Sequence, residues 1–257
     1  MIPYPLTKLN RVRLGRAFAA VPHVDISVEC ALEDQMGAAY ADQPDAPGVF
    51  LIEQNGFFCY LAGDAQSDAD RAMAQNLPAG RLLMAWSPGW ADVLTSLYGD
   101  RLIPIERYLY ESHSLSLAHV SGLLDASPLR DRIHRLDVDR VQAASEPFVS
   151  IGDFESPEDF VARGIGFVYV EDGEVVGGAY SSLVSSRSIE VSIFVHDDHR
   201  RKGAATALSA ALLKWCLTRH IEPHWDASNE ESCKLAEKLG YVAAGTYTAY
   251  YLKPASN

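Results

Sequence analysis

The run Ile189-Glu190-Val191-Ser192-Ile193-Phe194-Val195, followed by His196-Asp197-Asp198-His199-Arg200-Arg201-Lys202-Gly203-Ala204-Ala205-Thr206, constrains this chain more than any other stretch. Ile189, Val191, Ile193 and Val195 alternate with Glu190, Ser192 and Phe194, the period of a strand with one buried face. Beyond a polar, basic turn, Ala204, Leu208, Ala211 and Trp215 recur with Ala205, Leu212 and Cys216 beside them, the spacing of an amphipathic helix. A strand that turns directly into a helix leaves the first helical N–H groups without intrahelical partners, at the positive end of the macrodipole. With Gly203 and Ala205 allowing close approach and Arg200, Arg201 and Lys202 supplying charge, this turn has the chemistry to cradle a pyrophosphate.

The flanking segments extend the pattern. Residues 166–180 read as two apolar strands joined by Asp172-Gly173, a strong hairpin signal. Glu222 to Ala227 reads as a short strand. Ser228 and Glu231 have capping-box spacing before a helix whose face holds Leu235, Ala236 and Leu239, and Gly240 closes it.

Arg200-x-x-Gly203-x-Ala205 after a strand ending in Val195 resembles the coenzyme A signature of the GNAT acetyltransferases. The hairpin upstream and the string Asn229-x-x-Ser232-x-x-Leu235-Ala236-x-Lys238-Leu239-Gly240-Tyr241 downstream resemble the same family, in the same order. The wording from His224 to Tyr241, with Tyr247 and Tyr250 after it, is similar to the bacterial branch that includes the zwittermicin-resistance acetyltransferases. The resemblance covers about residues 131–253. It implies an α/β (α+β) fold: a GNAT domain with a mixed, mostly antiparallel sheet and flanking helices, preceded by an N-terminal mixed α/β domain.

The implied activity is transfer of an acetyl group from acetyl-CoA to a primary amine of a small molecule. The alternative is a non-catalytic acyl-CoA-binding regulatory module. An alkylamine with a pKa near 10.4 is only about one part in a thousand or so neutral at pH 7, a cost of roughly 4–5 kcal/mol that a base must offset. Glu190 is the candidate base, where the family often carries a glutamate on its central strand. The backbone N–H groups of Phe194, Val195 and His196 are the candidate oxyanion donors. Residues 200–206 (Arg200, Arg201, Lys202, Gly203, Ala204, Ala205, Thr206) are expected to hold the cofactor phosphates, with Asn229 and Ser232 near the pantetheine arm. Asn229 has helix capping as its other reading. Where many relatives carry a tyrosine that protonates the departing thiolate, this chain has Ala236. Tyr247 and Tyr250 are the substitutes, with packed strand residues as the plainer reading.

Composition narrows the partners. A net charge of −12 argues against general nucleic-acid or anionic-membrane binding and suits a cationic acceptor. No run approaches eighteen apolar residues, and Met1-Ile2-Pro3-Tyr4-Pro5 lacks a signal pattern, so a cytoplasmic protein is expected. Cys30, Cys59, Cys216 and Cys233 are scattered and expected to be free thiols. The pairs His196/His199 and His220/His224 have no third partner at metal-ligand spacing, so no metal is expected.

The polar, Pro-containing stretch Leu124 to Pro128 places a domain boundary near residue 128, giving domains 1–128 and 129–257. In the first, the spacing predicts a helix over Asp25–Tyr40, a hairpin over Gly48–Gly63 around Asn55-Gly56, a helix over Asp68–Asn76, a strand over Arg81–Trp86, a helix over Gly89–Tyr98 and a strand over Ile103–Tyr110. Residues 48–56 echo residues 166–173, consistent with a degenerate GNAT-like half, although any two hairpins share this look and the Arg-x-x-Gly-x-Ala motif is absent there. This half is expected to wall the acceptor site or to form a homodimer contact.

Overall fold

The computed structural model describes residues 1–19, 26–63, 65, 68–85, 89–144 and 148–255. The chain divides into two compact units, Met1–Glu106 with Thr248–Asn257, and Arg107–Tyr247.

The first unit contains β1 (Ile2–Pro3), α1 (Lys8–Ala19), α2 (Ile26–Leu32), β2 (Ala38–Ala41), β3 (Val49–Gln54), β4 (Phe58–Gly63), α3 (Asp68–Ala74), β5 (Arg81–Met84) and α4 (Trp90–Tyr98). The strand β6 (Leu102–Glu111) begins in this unit and ends in the second. The second unit continues with α5 (Leu117–Asp125), β7 (Ile133–Arg135), α6 (Val138–Ala143), α7 (Pro157–Arg163), β8 (Gly166–Glu171), β9 (Glu174–Val184), β10 (Ser188–Val195), α8 (Ala204–Thr218), β11 (Glu222–Ala227) and α9 (Glu230–Leu239). The last strand, β12 (Val242–Leu252), begins in the second unit and ends in the first.

The two units repeat one pairing scheme. In the first, β1 to β4 pair in sequence order, all antiparallel, β4 pairs β5 in parallel, and β5 is flanked by antiparallel β12. In the second, β7 to β10 pair antiparallel in order, β10 pairs β11 in parallel, and β11 is flanked by antiparallel β6. The closing strands are exchanged: β6 follows β5 in sequence yet pairs with β11, and β12 follows β11 yet pairs with β5. Both hairpins turn through two residues of positive φ, Asn55 (52°) with Gly56 (56°) and Asp172 (51°) with Gly173 (87°), the requirement of a type I′ turn. The expected class is therefore met, with mostly antiparallel sheets flanked by helices.

Three expectations change. The boundary expected near residue 128 lies inside the second unit, because β6 is a strand of that unit's sheet and α5, capped by Ser116, packs on α8. The helix expected over Asp25–Tyr40 ends at Leu32; Asp34 (φ 60°) and Gly37 (φ 87°) turn the chain into β2, and Asp25 lies outside the described residues. The Arg81 strand stops at Met84, and Trp86 lies outside the described residues.

In the second unit, α8 is the centre of the core. Its alanines and leucines are good helix formers, and Ala204, Ala207, Leu208, Ala211, Leu212, Leu213 and Cys216 are all buried. The Gly177-Gly178 pair of β9 lets neighbours approach on both faces. A Cβ on Gly177 would meet Leu208 of α8 and Val195, whereas one on Gly178 would lie 2.0 Å from the Phe148 carbonyl oxygen on the opposite side.

Candidate active site

The site begins where two parallel strands part. β10 and β11 share three rungs, Ser188↔Glu222, Ile189↔Pro223 and Glu190↔His224, and then separate, although β10 continues to Val195 and β11 to Ala227. The opposite edge of β10 stays paired with β9 through Val195↔Gly177. An extra residue on β9, Ser182, interrupts that ladder between Glu190 and Val191, and its hydroxyl lies 3.4 Å from the Glu190 carbonyl.

Backbone direction along β10 follows from two bonds. Glu222 N–H donates to the Arg187 carbonyl, so odd-numbered residues face β11; His196 N–H donates to the Val176 carbonyl, so even-numbered residues face β9. Of the three expected oxyanion donors, His196 N–H is thus engaged and Phe194 N–H points to β9. Val195 N–H faces the gap, together with Ile193 N–H, which sequence reasoning missed. The alternation groups Ile193 with Val195, but only the ladder to β9 decides that this set faces the gap.

Side chains alternate at right angles to this. Ile189, Val191 and Val195 are buried on the α8 side, leaving Glu190, Ser192 and Phe194 on the other face. Glu190 is half-buried. The same face of β11 carries His224 and Asp226, and β6 adds Arg107, because Leu109 lies opposite Asp226. Arg107 approaches the Asp226 carboxylate to 2.9 Å and also donates to the Asp226 carbonyl; Tyr247 Oη donates to Asp226 Oδ2 at 2.6 Å. Burial works against the Arg107 charge, but Asp226 and the Tyr247 oxygen outweigh it and hold the guanidinium above its ordinary pKa. Arg107, His224 and Asp226 were not singled out as site residues; the alternation His224-Trp225-Asp226 was the available signal. Tyr250 belongs to the first unit, half-buried against its apolar cluster with Leu83, Trp90 and Leu252.

The basic turn follows at the end of β10. Arg200 Nε donates to the Val195 carbonyl at 3.0 Å, its guanidinium stacks over Phe194, and it pairs with Asp197. The first residue of the motif thus clasps the strand end to the turn. His196 Nδ1 accepts from Asp198 N–H within the turn. Arg201 and Lys202 are exposed, and Arg201 adopts φ 60°. Gly203 is the N-cap of α8, left-handed at φ 87°, with no side-chain cap and open space where a Cβ would project. Among the described residues the first bond at this end is Ala207 N–H to the Gly203 carbonyl, which leaves the N–H groups of Ala204, Ala205 and Thr206 as the orphan donors of the helix. Lys238, from the last turn of α9, reaches Thr206 Oγ1 at 3.1 Å. It adds a cation that the sequence reading left out of the site.

Asn229, not Ser228, is the N-cap of α9: its Oδ1 accepts from Ser232 N–H at 2.9 Å. Ser232 Oγ accepts from Trp225 Nε1, which ties α9 to β11. Ala236, where a tyrosine was sought, is fully buried.

An acetyl-CoA molecule fits what these residues offer. The uncapped N–H groups behind Gly203, with Arg201, Lys202 and Lys238 around them, suit a pyrophosphate. The parted strands expose backbone donors of the kind a pantetheine amide chain pairs with.

A family model described as GNAT acetyltransferase matches residues 21–250. An uncharacterised N-acetyltransferase of Bacillus subtilis (strain 168), YdfB, is 27% identical over 231 residues, covering 84% of this chain and 85% of its own. The crystal structure of a GCN5-related N-acetyltransferase-like protein from Streptococcus suis 89/1591 superposes with a TM-score of 0.83 at 29% identity, covering 95% of this chain and 98% of that one. A tandem GNAT protein from the clavulanic acid biosynthesis pathway, solved without AcCoA, shares the fold at 13% identity with a TM-score of 0.57, covering 99% of both chains.

Proposed function

The chain belongs to the GNAT acetyltransferase family and is an acyltransferase; from that premise we propose that it moves an acetyl group from acetyl-CoA to the primary amine of a small molecule by direct attack. The observation that carries this reading is the parting of β10 and β11 just beyond Glu190, beside the uncapped start of α8.

When bound, acetyl-CoA supplies the activated acetyl thioester. Ala204, Ala205 and Thr206 N–H groups, with Arg201, Lys202 and Lys238, would hold its phosphates. Ile193 and Val195 N–H groups would pair with the pantetheine arm and the thioester carbonyl. Asn229 and Ser232 would shape the neighbouring wall, their side-chain oxygens being occupied in capping α9 and holding Trp225. Glu190 would take the proton of the acceptor amine. Arg200 would act through the turn it clasps.

The departing thiolate needs no tyrosine at Ala236: with a thiol pKa near 8.5, a proton from solvent suffices. Tyr247 would serve as donor only by giving up its bond to Asp226, and the packed setting of Tyr250 supports a structural role.

The acidic balance of the chain supports a cationic acceptor, and among the described residues no helix is long and apolar enough to cross a membrane. The first unit reads as a degenerate GNAT-like half. It has the same pairing scheme and the same I′ hairpin turn but no phosphate motif, and the likeness to a tandem GNAT fold supports this. The wording of residues 224–241 supports the zwittermicin-resistance branch.

The test is thiol release from acetyl-CoA by the purified protein across a panel of aminoglycosides, peptide-like antibiotics and polyamines. Acceptor-dependent release is the expected result. Silence across the panel with coenzyme A binding retained by calorimetry favours an acyl-CoA-binding module instead.

A further inference from the structure

Glu190 and His224 occupy the last rung that β10 and β11 share. Partners on a parallel rung project to the same face, here the face away from α8. The backbone beyond this rung is parted, so the pair stands at the throat of the gap. His224 keeps 33% of its side chain exposed, enough for it to be replaced without opening the core.

The charges that face His224 are mostly of one sign. On its own strand, Glu222 brings Oε2 to 4.0 Å from His224 Nε2. On β10 stands Glu190. On β6, one rung beyond Trp225↔Tyr110, comes Glu111. Glu111, Glu222 and His224 line one cleft of about 220 Å³ with Tyr110, Ser112 and His113. The nearby basic side chains already have partners: His113 Nδ1 lies 3.0 Å from Glu111, and Arg107 pairs with Asp226 two residues along β11. Ser112 donates to the second oxygen of Glu222.

We propose that His224 is a positioning residue for Glu190: as an imidazolium set among Glu190, Glu111 and Glu222, it keeps the Glu190 carboxylate ionised and turned toward the gap. This rests on the reading of Glu190 as the base. A neighbouring positive charge favours the charged form of a carboxylate, and the carboxylate favours the imidazolium by the same free energy. The coupling can therefore be read from either partner. Glu222 and Glu111 hold the imidazolium charged, so removing Glu190 weakens but does not abolish that preference.

The experiment is a histidine-ring NMR titration of the full-length chain, with His224→Gln used to assign the resonance. In Glu190→Gln the His224 midpoint should fall by about one pH unit, the size of a close charge pair. Reciprocally, His224→Gln should move the acid limb of kcat/KM up by a similar amount, with KM for acetyl-CoA unchanged and the thermal midpoint near that of the parent. A His224 midpoint that ignores Glu190→Gln overturns the proposal whatever the turnover does. An acid limb that stays in place in His224→Gln, while Glu190→Gln is inactive, overturns the positioning role and leaves the base intact. Full turnover in Glu190→Gln overturns the base reading itself.

Discussion

Lys238 Nζ donates to Thr206 Oγ1 at 3.1 Å, so the final turn of α9 delivers an ammonium group to the first turn of α8. Both ends of that contact are exposed or half-buried, so it contributes little to folding. Its value lies in the charge it adds where an anion would bind. Lys238→Gln should weaken coenzyme A binding by about five- to tenfold, roughly 1 kcal/mol, with little change in kcat. Calorimetry at two salt concentrations checks this, because the loss should shrink as salt rises.

Gly203 combines φ 87° with open space in front of its Cα. Gly203→Ala pays for the left-handed backbone, about 1–2 kcal/mol, and should cost little else in folding. Gly203→Glu adds bulk and negative charge in the same place. Its coenzyme A affinity should fall at least a further tenfold while its melting temperature matches that of Gly203→Ala; equal affinities in the two variants would count against the phosphate cradle.

Arg107, Asp226 and Tyr247 form a largely buried polar cluster, with only 13% of the Arg107 side chain and 17% of the Asp226 side chain exposed. Arg107→Met should destabilise the protein by about 3–5 kcal/mol, because the mostly buried Asp226 carboxylate loses its counter-ion. Adding Asp226→Asn should restore part of that loss in urea denaturation. Tyr247→Phe should cost about 1.5–3 kcal/mol, the range for a hydrogen bond to a charged group. Turnover that survives in this variant would assign Tyr247 to structure rather than proton donation.

Gly178→Ala should be among the most damaging single-methyl changes. Its Cβ would stand 2.0 Å from the Phe148 carbonyl oxygen, a contact that only backbone movement relieves. A loss of about 1–3 kcal/mol is expected, measured by chemical denaturation.

Burial pushes the Cys59 and Cys216 thiols from an ordinary 9.0 up to about 12, and Cys30 is buried as well. Native protein at pH 8 should expose only Cys233 to a thiol reagent, against four thiols after denaturation. Between pH 9 and 12 the unfolded chain releases protons that the native thiols retain, so these residues lower stability as pH rises through that window. Alkaline melting curves of Cys216→Ala should be flatter than those of the parent.

Local order was readable wherever one element decided it. The alternation from Ile189 to Val195, the Asp172-Gly173 turn and Gly240 each fix backbone geometry within a few residues, and the structure places them as expected. What escaped depends on partners distant in sequence. Ala38–Ala41 carries helical spacing but is a strand, because Gly37 breaks the helix and β3 offers a ladder. Ile193 N–H becomes a gap-facing donor only once β9 claims the even residues of β10. Arg107 joins Asp226 across 119 positions, a pairing that no local pattern encodes.

The first unit is made of two stretches far apart in sequence, and this sets the order in which the chain can be built. On the ribosome, β1 to β5 emerge first, yet the edge of β5 is completed only by Tyr250 to Leu252, made after the whole second unit. Until then β5 presents bare N–H and C=O groups, and β6 waits for β11. The second unit is one continuous stretch that carries both β11 and the β6 residues paired with it, whereas the first stays open at β5 until the last strand is made. Such a protein should depend on chaperones during synthesis and refold slowly from denaturant, because its last contacts join residues far apart in sequence.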